Sequence, residues 1–230
     1  MKFKSKYDIL QVVKSGMFLP YYRYMYENFA ASDTEEFFQS NLKTQPPDWQ
    51  WRTKPVRYIY NSQKYRCPEW EKIDWSASII LFGGSDMMGI GVDESETISS
   101  CLQNVTGIPV INLGISGSSM LFNLHNMLQY FAGDRPTPRG VFVLWPHHSR
   151  ICVYEANWIE AYGHWNAAEG GLFDLYNNDP TNSAVCAIQH ARMANILWQD
   201  TKYISASLFS DTAEITDSVF IETEIGRAHV

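Results

Sequence analysis

Short apolar runs alternate with stretches of helical periodicity from about residue 78 onward. Each run is only three to five residues long and predominantly apolar, which is typical of strands buried on both faces of a sheet. The predicted strands cover residues 79–82, 109–112, 141–145 and 203–207, and a last one begins at 219–221. Their alternation with helices predicts an α/β domain with a mostly parallel sheet.

Three helices are predicted between these strands. The first covers residues 95–103. In the second, at 121–131, apolar residues recur at helical spacing and stop at Gly133, a residue type that favours helix C-termini. The third covers 184–198 and follows Ser183, whose hydroxyl makes it the predicted N-cap.

Residues 1–75 have a different texture. They are rich in Tyr, Trp and Pro, and the sequence Thr-Gln-Pro-Pro-Asp at 44–48 interrupts any helix. We therefore expect a short helical start followed by an irregular arm. This N-terminal extension is predicted to pack on a domain that spans residues 76–223.

Composition and charge narrow the class of protein. A chain of 230 residues that is 45% hydrophobic and 14% aromatic has enough apolar material for one core. Its 18 Lys and Arg against 25 Asp and Glu give a net charge of −7, which argues against a nucleic-acid partner. The basic N-terminus has no apolar stretch behind it, and no later stretch reaches membrane-spanning length. We expect a cytoplasmic protein without a membrane span.

Cysteine and histidine spacing predicts no metal site. The four cysteines are at least 34 positions apart, so they form no Cys-x-x-Cys pair: Cys67, Cys101, Cys152 and Cys186. The neighbouring side chains of His147 and His148 are expected to diverge, which makes a shared metal ion poor.

The last seven residues, 224–230, have an unusual property. They can be back-translated as the start of a widely used short-read sequencing adapter, in which the next triplet is a stop codon. We interpret them as a sequencing-adapter scar and exclude them from the prediction of fold and site, including His229. The natural chain is then expected to continue after about Thr223.

A glycine-rich segment at 82–92 directly follows the first predicted strand. Ligand sites of α/β proteins lie at this edge of the sheet. The spacing from Gly84 to Gly89 fits a phosphate-binding loop, but Ile90 and Gly91 stand where Lys and Ser or Thr are needed. A lipase-type Gly-x-Ser-x-Gly turn does not fit either, because Met87 replaces its last glycine.

This segment resembles the first block of the SGNH hydrolases, also called the GDSL esterase/lipase family. The block Gly-Asp-Ser-x-Thr-x-Gly-x-Gly-Val aligns without gaps, with matches at Gly83, Ser85, Gly89, Gly91 and Val92. Gly84 replaces its aspartate and Met87 its threonine. The resemblance covers roughly residues 58–150. Residues 60–69 resemble the upstream Asn-Ser-x-Gly-Phe-Arg-x-Pro-Glu segment, 112–118 resemble the second block, Asn-x-Gly-x-x-Gly, and 146–149 replace the third, Gly-x-Asn-Asp.

The resemblance implies a three-layer α/β/α sandwich, as in SGNH and flavodoxin-like folds, and a serine hydrolase or acyl transferase that acts on an ester. Ser85 is then the nucleophile, and the oxyanion hole comprises the backbone N–H groups of Ser85 and Gly117 with the side chain of His148, at the asparagine position. The loop-shaping glycines are Gly83, Gly84, Gly89 and Gly114. No cofactor is implied, and the expected substrate is a small-molecule or carbohydrate ester.

The catalytic base is the missing part. Members of this family take it from an Asp-x-x-His near the C-terminus, and no aspartate in this sequence is followed three residues later by histidine. We expect the base to lie beyond Thr223, so that this truncated chain lacks it. Loss of a triad's base removes several orders of magnitude in rate.

Other interpretations stay open. A non-catalytic carbohydrate- or ligand-binding module on the same fold is the main alternative, and a flavodoxin-like nucleotide binder is another. The aromatic segment 158–176 predicts either a sugar-stacking lid or the packing of an irregular loop. His125 and His190 are predicted to be ordinary helix residues. Arg150 either orients its loop, binds a substrate carboxylate or is a surface cation.

Overall fold

The central element is a five-stranded parallel sheet in the order β3-β2-β4-β7-β8. The computed structural model describes residues 2–4, 9–19, 35–53, 56, 58–155, 158–163, 172–177 and 179–222. The sheet's strands are β2 (Ile79–Gly83), β3 (Val110–Asn112), β4 (Gly140–Trp145), β7 (Tyr203–Ser207) and β8 (Val219–Phe220). All five correspond to predicted strands, which confirms the α/β class with a mostly parallel sheet.

Helices lie on both faces of this sheet. The helices are α1 (Ile9–Lys14), α2 (Glu35–Thr44), α3 (Ser85–Met88), α4 (Ile98–Thr106), α5 (Met120–Ala132), α6 (Leu172–Asn177), α7 (Pro180–Leu197) and α8 (Ser210–Thr216). Alternate residues of β2 point to opposite faces. Ile80 and Phe82 belong to the large core that includes α5 and α7, whereas Leu81 belongs to a smaller core against which Leu102 of α4 packs. The predicted three-layer arrangement is confirmed.

Capping residues explain where two helices differ from the prediction. Helix α4 begins at Ile98, three residues later than predicted, because the Thr97 hydroxyl accepts the Ser100 N–H and caps it. Helix α7 begins at Pro180 with Asp179 as its N-cap. The prediction of Ser183 as the cap was wrong. Helix α5 ends at Ala132 with Gly133 as its C-cap, in agreement with the predicted stop at Gly133.

A second, antiparallel sheet was not predicted. It has the order β1-β6-β5, with β1 (Lys2–Lys4), β5 (Ile151–Glu155) and β6 (Trp158–Tyr162). The segment 158–176, for which the sequence predicts either a sugar-stacking lid or the packing of an irregular loop, contributes β6 and most of helix α6. Its central part, 164–171 with Trp165, lies outside the described residues. Pairing of β6 with β1 joins residues more than 150 positions apart, which no local pattern predicts.

Part of the N-terminal segment packs into the large core. Phe18 and Leu19 are fully buried there. The Leu19 N–H donates to Asn126 Oδ1 of α5 at 3.0 Å, and Asn126 Nδ2 donates to the Tyr65 hydroxyl at 2.8 Å. Buried polar groups that are paired in this way fix the position of the segment against α5.

The face of the sheet that packs against Leu102 of α4 carries an apolar groove of about 640 Å³. Its lining includes Ile79, Phe142 and Ile204, and Ile204 is 57% exposed. The groove lies at the N-terminal ends of the strands, away from the glycine-rich segment that follows β2. None of the helices in the described residues is long and apolar enough to cross a membrane.

Candidate active site

Ser85 is the first residue of helix α3 and is separated by one residue from the C-terminal end of β2. Gly84 forms the turn between strand and helix, and Gly89 ends the helix with a left-handed backbone, φ +80°. Ser85 is half-buried, while Gly84 and Gly89 are buried. This position at the carboxyl edge of a parallel sheet is the usual place for ligand sites in α/β proteins.

The loop after β3 is hydrogen-bonded to the end of β2. The Ile115 N–H donates to the Gly83 carbonyl at 3.0 Å, and the Ser118 hydroxyl donates to the same oxygen at 3.1 Å. Between them Gly117 adopts φ +74°, a conformation that favours glycine. These bonds hold the backbone of Gly117 in the loop beside the Gly83–Ser85 turn.

Asn112 joins the same two segments through its side chain. Its Nδ2 donates to the Met87 carbonyl at 2.8 Å, and its Oδ1 accepts the Gly114 N–H at 2.9 Å. The side chain is buried, so both bonds are protected from water. The sequence shows Asn112 only as the first residue of the second block, whereas in the structure it bridges the two segments.

Close packing at Gly83 and Gly84 gives a test of this turn. A Cβ atom at Gly83 would lie 2.6 Å from Met87 Cβ and 2.9 Å from the Leu144 carbonyl oxygen, both of which are rigidly placed. We expect Gly83→Ala to lower the free energy of unfolding by about 1–3 kcal/mol through overpacking. A Cβ at Gly84 would meet atoms at 3.5 Å and beyond, so Gly84→Ala should change it by less than about 0.5 kcal/mol. Urea unfolding of both variants measures the difference, and equal effects would contradict this packing.

The loop after β4 completes the edge. A Cβ atom added at Gly84 would lie 3.6 Å from Pro146 Cβ and 3.5 Å from Arg150 Nη1. This loop is therefore packed directly against the Ser85 turn. Arg150 is half-buried rather than fully exposed. Burial lowers the pKa of its guanidinium, while the charge of Asp86 acts in the opposite direction.

His147 and His148 lie on this loop beside Asp211 and Thr212 of α8. The two rings stack, with centroids 4.5 Å apart and planes at 23°. The sequence-based expectation that these side chains diverge was wrong, because 147–149 form a turn rather than an extended strand. Neither Asp211 nor Thr212 was singled out from the sequence, since they lie 64 positions from these histidines.

Both ring nitrogens of His147 have partners. The Ser149 N–H donates to Nδ1 at 3.2 Å, which makes Nδ1 an acceptor and places the proton on Nε2. Nε2 lies 3.1 Å from Asp211 Oδ2, to which it donates. His147 is therefore held as a neutral ring between the loop backbone and the carboxylate.

His148 is held on one side of its ring. Its backbone N–H donates to Thr212 Oγ1 at 3.1 Å, and its Nδ1 lies 3.1 Å from the same oxygen and 3.8 Å from Asp211 Oδ2. In the part of the chain that the structure describes, no hydrogen bond engages Nε2. Burial lowers the pKa of both imidazoles below the usual value of 6.5, and Asp211 acts in the opposite direction on each.

His147, His148 and Asp211 each have a possible metal-binding atom, and these atoms lie within 4.8 Å of one another. A metal ion binds a lone pair in the plane of each imidazole ring. Because the two rings are stacked, their in-plane lone pairs run side by side and do not converge on one point. The geometry therefore favours hydrogen bonding to Asp211 over shared coordination.

Arg66 fixes the segment that follows α3. Its fully buried guanidinium donates to the carbonyls of Gly89 at 2.6 Å and Val92 at 3.0 Å, and its Nε forms a 2.7 Å ion pair with Glu94. Arg66 lies in the 60–69 segment that resembles the upstream part of the family, but its role was not predicted from the sequence. The motif itself was the signal that could have found it.

His125 and His190 lie on helices α5 and α7. His125 Nε2 is 3.1 Å from Gln129 Nε2 on the same helix, and His125 packs against the ring of Tyr154. Burial lowers the pKa of both histidines. Both residues lie on helices, as predicted.

The known proteins that are similar to this chain are solved structures. The SGNH-hydrolase family esterase AlinE4 is similar at 17% identity and a TM-score of 0.37, over 65% of this chain and 77% of that one. A member of the lipolytic protein G-D-S-L family from Veillonella parvula is similar at 16% identity and a TM-score of 0.35, over 60% and 64%. No family model and no curated protein matches. The two similar structures are thus an SGNH-hydrolase family esterase and a G-D-S-L family member.

Proposed function

We propose that this chain is an SGNH-type serine hydrolase that cleaves or transfers the acyl group of a small-molecule or carbohydrate ester. The observation that carries the proposal is the position of Ser85. It begins a helix at the carboxyl end of β2, and the loops after β3 and β4 both pack against its turn. A serine hydroxyl, loop backbone N–H groups and two imidazoles thus lie at one edge of the sheet, which supports the proposal.

Ser85 attacks the carbonyl carbon of the ester in this proposal. The oxygen that becomes anionic is held by the backbone N–H groups of Ser85 and Gly117. Ser85 is the first helical residue, and the first N–H groups of a helix have no partner inside it. Such preorganised donors lower the barrier because they are already aimed where the charge develops.

His148 can serve this chemistry in two ways, according to which ring nitrogen holds the proton. With the proton on Nε2, it is the third oxyanion donor that the family resemblance implies. With the proton on Nδ1, Nε2 accepts the proton of Ser85. The sequence-based prediction of a base beyond Thr223 concerns residues outside the described part of the chain.

A serine-directed fluorophosphonate tests the proposed function. We expect the 230-residue chain to form one covalent adduct, which peptide mass spectrometry should locate on Ser85, because the reagent reports an activated serine. Prior heat unfolding is the control and should abolish the adduct. An adduct on another residue would contradict the proposal. Absence of any adduct, together with saturable binding of a carbohydrate, would favour the non-catalytic binding module.

A further inference from the structure

Three neighbouring strands of the parallel sheet are each followed, within four residues, by a side chain of complementary chemistry. Strand β4 pairs with β2 on one side, where Gly83 is opposite Leu144, and with β7 on the other, where Trp145 is opposite Ser207. Adjacent strands are about 4.8 Å apart. Ser85 follows β2, His148 follows β4 and Asp211 follows β7, so a hydroxyl, an imidazole and a carboxylate succeed one another along the same edge.

The two histidines of the loop after β4 differ in which of their ring nitrogens are hydrogen-bonded. Both nitrogens of His147 are engaged, by the Ser149 N–H and by Asp211. His148 instead has its Nδ1 side against α8, and its side chain is 9% exposed. Its Nε2 is the imidazole nitrogen of this loop that no hydrogen bond to a described residue engages.

We propose that His148 is the general base that takes the proton of Ser85, and that Asp211 and Thr212 are the residues that position its ring. The proposal rests on the proposed function. It places a base inside the described chain, at a site different from the Asp-x-x-His of the family, and it gives His148 a role other than oxyanion donor.

The reaction balances with these groups alone. The Ser85 Oγ–H proton moves to His148 Nε2 while Oγ bonds to the carbonyl carbon and the C=O electron pair moves to the oxygen. When that oxygen reforms the double bond, the ester C–O bond breaks, and the leaving alcohol oxygen takes the proton from Nε2. Water then takes the place of the alcohol. It gives a proton to His148 Nε2 as its oxygen bonds to the acyl carbon. Ser85 Oγ takes that proton back when its bond to this carbon breaks, which releases the acid and restores Ser85.

Burial and charge suit His148 to this role. Burial keeps its pKa below the usual 6.5, so the ring is neutral and able to accept a proton at pH 7. The Asp211 carboxylate favours the imidazolium that forms, since it lies 3.8 Å from Nδ1. The other ionisable groups of this loop are His147, stacked on the ring, and Arg150.

Replacement of His148 by asparagine separates the two roles. Asparagine can donate a hydrogen bond but cannot accept a proton near neutral pH, so it preserves an oxyanion donor and removes a base. We expect the plateau rate of fluorophosphonate labelling in His148→Asn to fall at least about 100-fold, the lower range of general-base contributions. Added imidazole should restore part of the rate in His148→Ala.

The pH dependence gives a second measurement. Labelling of the unaltered chain should rise with pH and reach half its plateau below pH 6.5, because the neutral ring is the active form. Asp211→Asn removes the charge that raises the pKa of His148, so its midpoint should move to lower pH while its plateau falls at least about tenfold. A merely structural role of Asp211 would lower the rate without moving the midpoint.

Two residues outside the site, Asp217 and His190, provide matched controls. Asp217→Asn changes an exposed carboxylate at the other end of α8, where asparagine also tolerates the left-handed backbone. His190→Asn changes a histidine of α7 outside the site. Both should label within about threefold of the unaltered chain, and circular dichroism should show that every variant is folded.

The outcomes distinguish the two levels of proposal. Continued labelling of Ser85→Ala at the normal rate would overturn the proposed function. Loss of labelling in Ser85→Ala together with a His148→Asn rate within threefold of normal would overturn this inference alone, and His148 would then be an oxyanion donor. If His148→Asn fails to fold, a pH midpoint that Asp211→Asn leaves unchanged would overturn it instead.

Discussion

Ester hydrolysis should fall at least about 1,000-fold when Ser85 is replaced by alanine, because the variant has no oxygen that can form the acyl intermediate. The remaining rate would come from the oxyanion donors and from substrate binding. The free energy of unfolding should change by less than about 0.5 kcal/mol, since Ser85 is half-buried. Initial rates with a chromogenic aryl ester at pH 8 and urea unfolding measure the two quantities.

Ser76→Ala is the matched control for this prediction. Ser76 is exposed and lies before β2, where its hydroxyl donates to Asp74 Oδ1 at 2.6 Å. Its replacement should leave hydrolysis within about twofold of normal, because Ser76 lies before the strand whose opposite end carries Ser85. A Ser85→Ala protein that hydrolyses the ester at the normal rate would place the nucleophile elsewhere.

The strands could be predicted because parallel strands are buried on both faces. Such strands become short apolar runs that need no information from the rest of the chain. The meeting of the Gly83–Ser85 turn with the loop at Gly117 was also implied, since neighbouring parallel strands end at one edge. The helix starts were harder to predict. Asp179 and Thr97 are the N-caps, but nearby residues such as Ser183 have side chains that are equally able to cap a helix.

The partners of the histidine loop could not be predicted. Asp211 and Thr212 meet His147 and His148 only because β7 lies beside β4 in the sheet, and strand order is not encoded in local periodicity. A residue 64 positions away has many possible neighbours until that order is known. The stacking of the two rings likewise depends on a turn at 147–149, whereas the sequence only showed that they are adjacent.

Arg66 is expected to have the largest effect on stability. Its guanidinium is fully buried and donates to the carbonyls of Met88, Gly89 and Val92, besides its ion pair with Glu94. Arg66→Met retains much of the apolar volume but leaves these acceptors without their donor and Glu94 without its partner. We expect a loss of about 3–5 kcal/mol in the free energy of unfolding, because each buried carbonyl left without its donor costs about 1–3 kcal/mol, whereas Glu94, whose side chain is 38% exposed, adds little. Guanidinium chloride unfolding measures it.

Two further variants show whether geometry or charge causes this loss. Arg66→Lys retains the charge, but a single ammonium cannot reproduce a planar fork that reaches three carbonyls and a carboxylate, so most of the loss should persist. Arg52→Met removes a half-buried arginine whose bonds to the Pro46 and Gln45 carbonyls are exposed, and it should cost less than about 1 kcal/mol. Full recovery in Arg66→Lys would mean that charge alone is required. Because the Arg66 contacts begin three residues after Ser85, persistent loss would instead tie the stability of the Ser85 turn to the shape of the guanidinium.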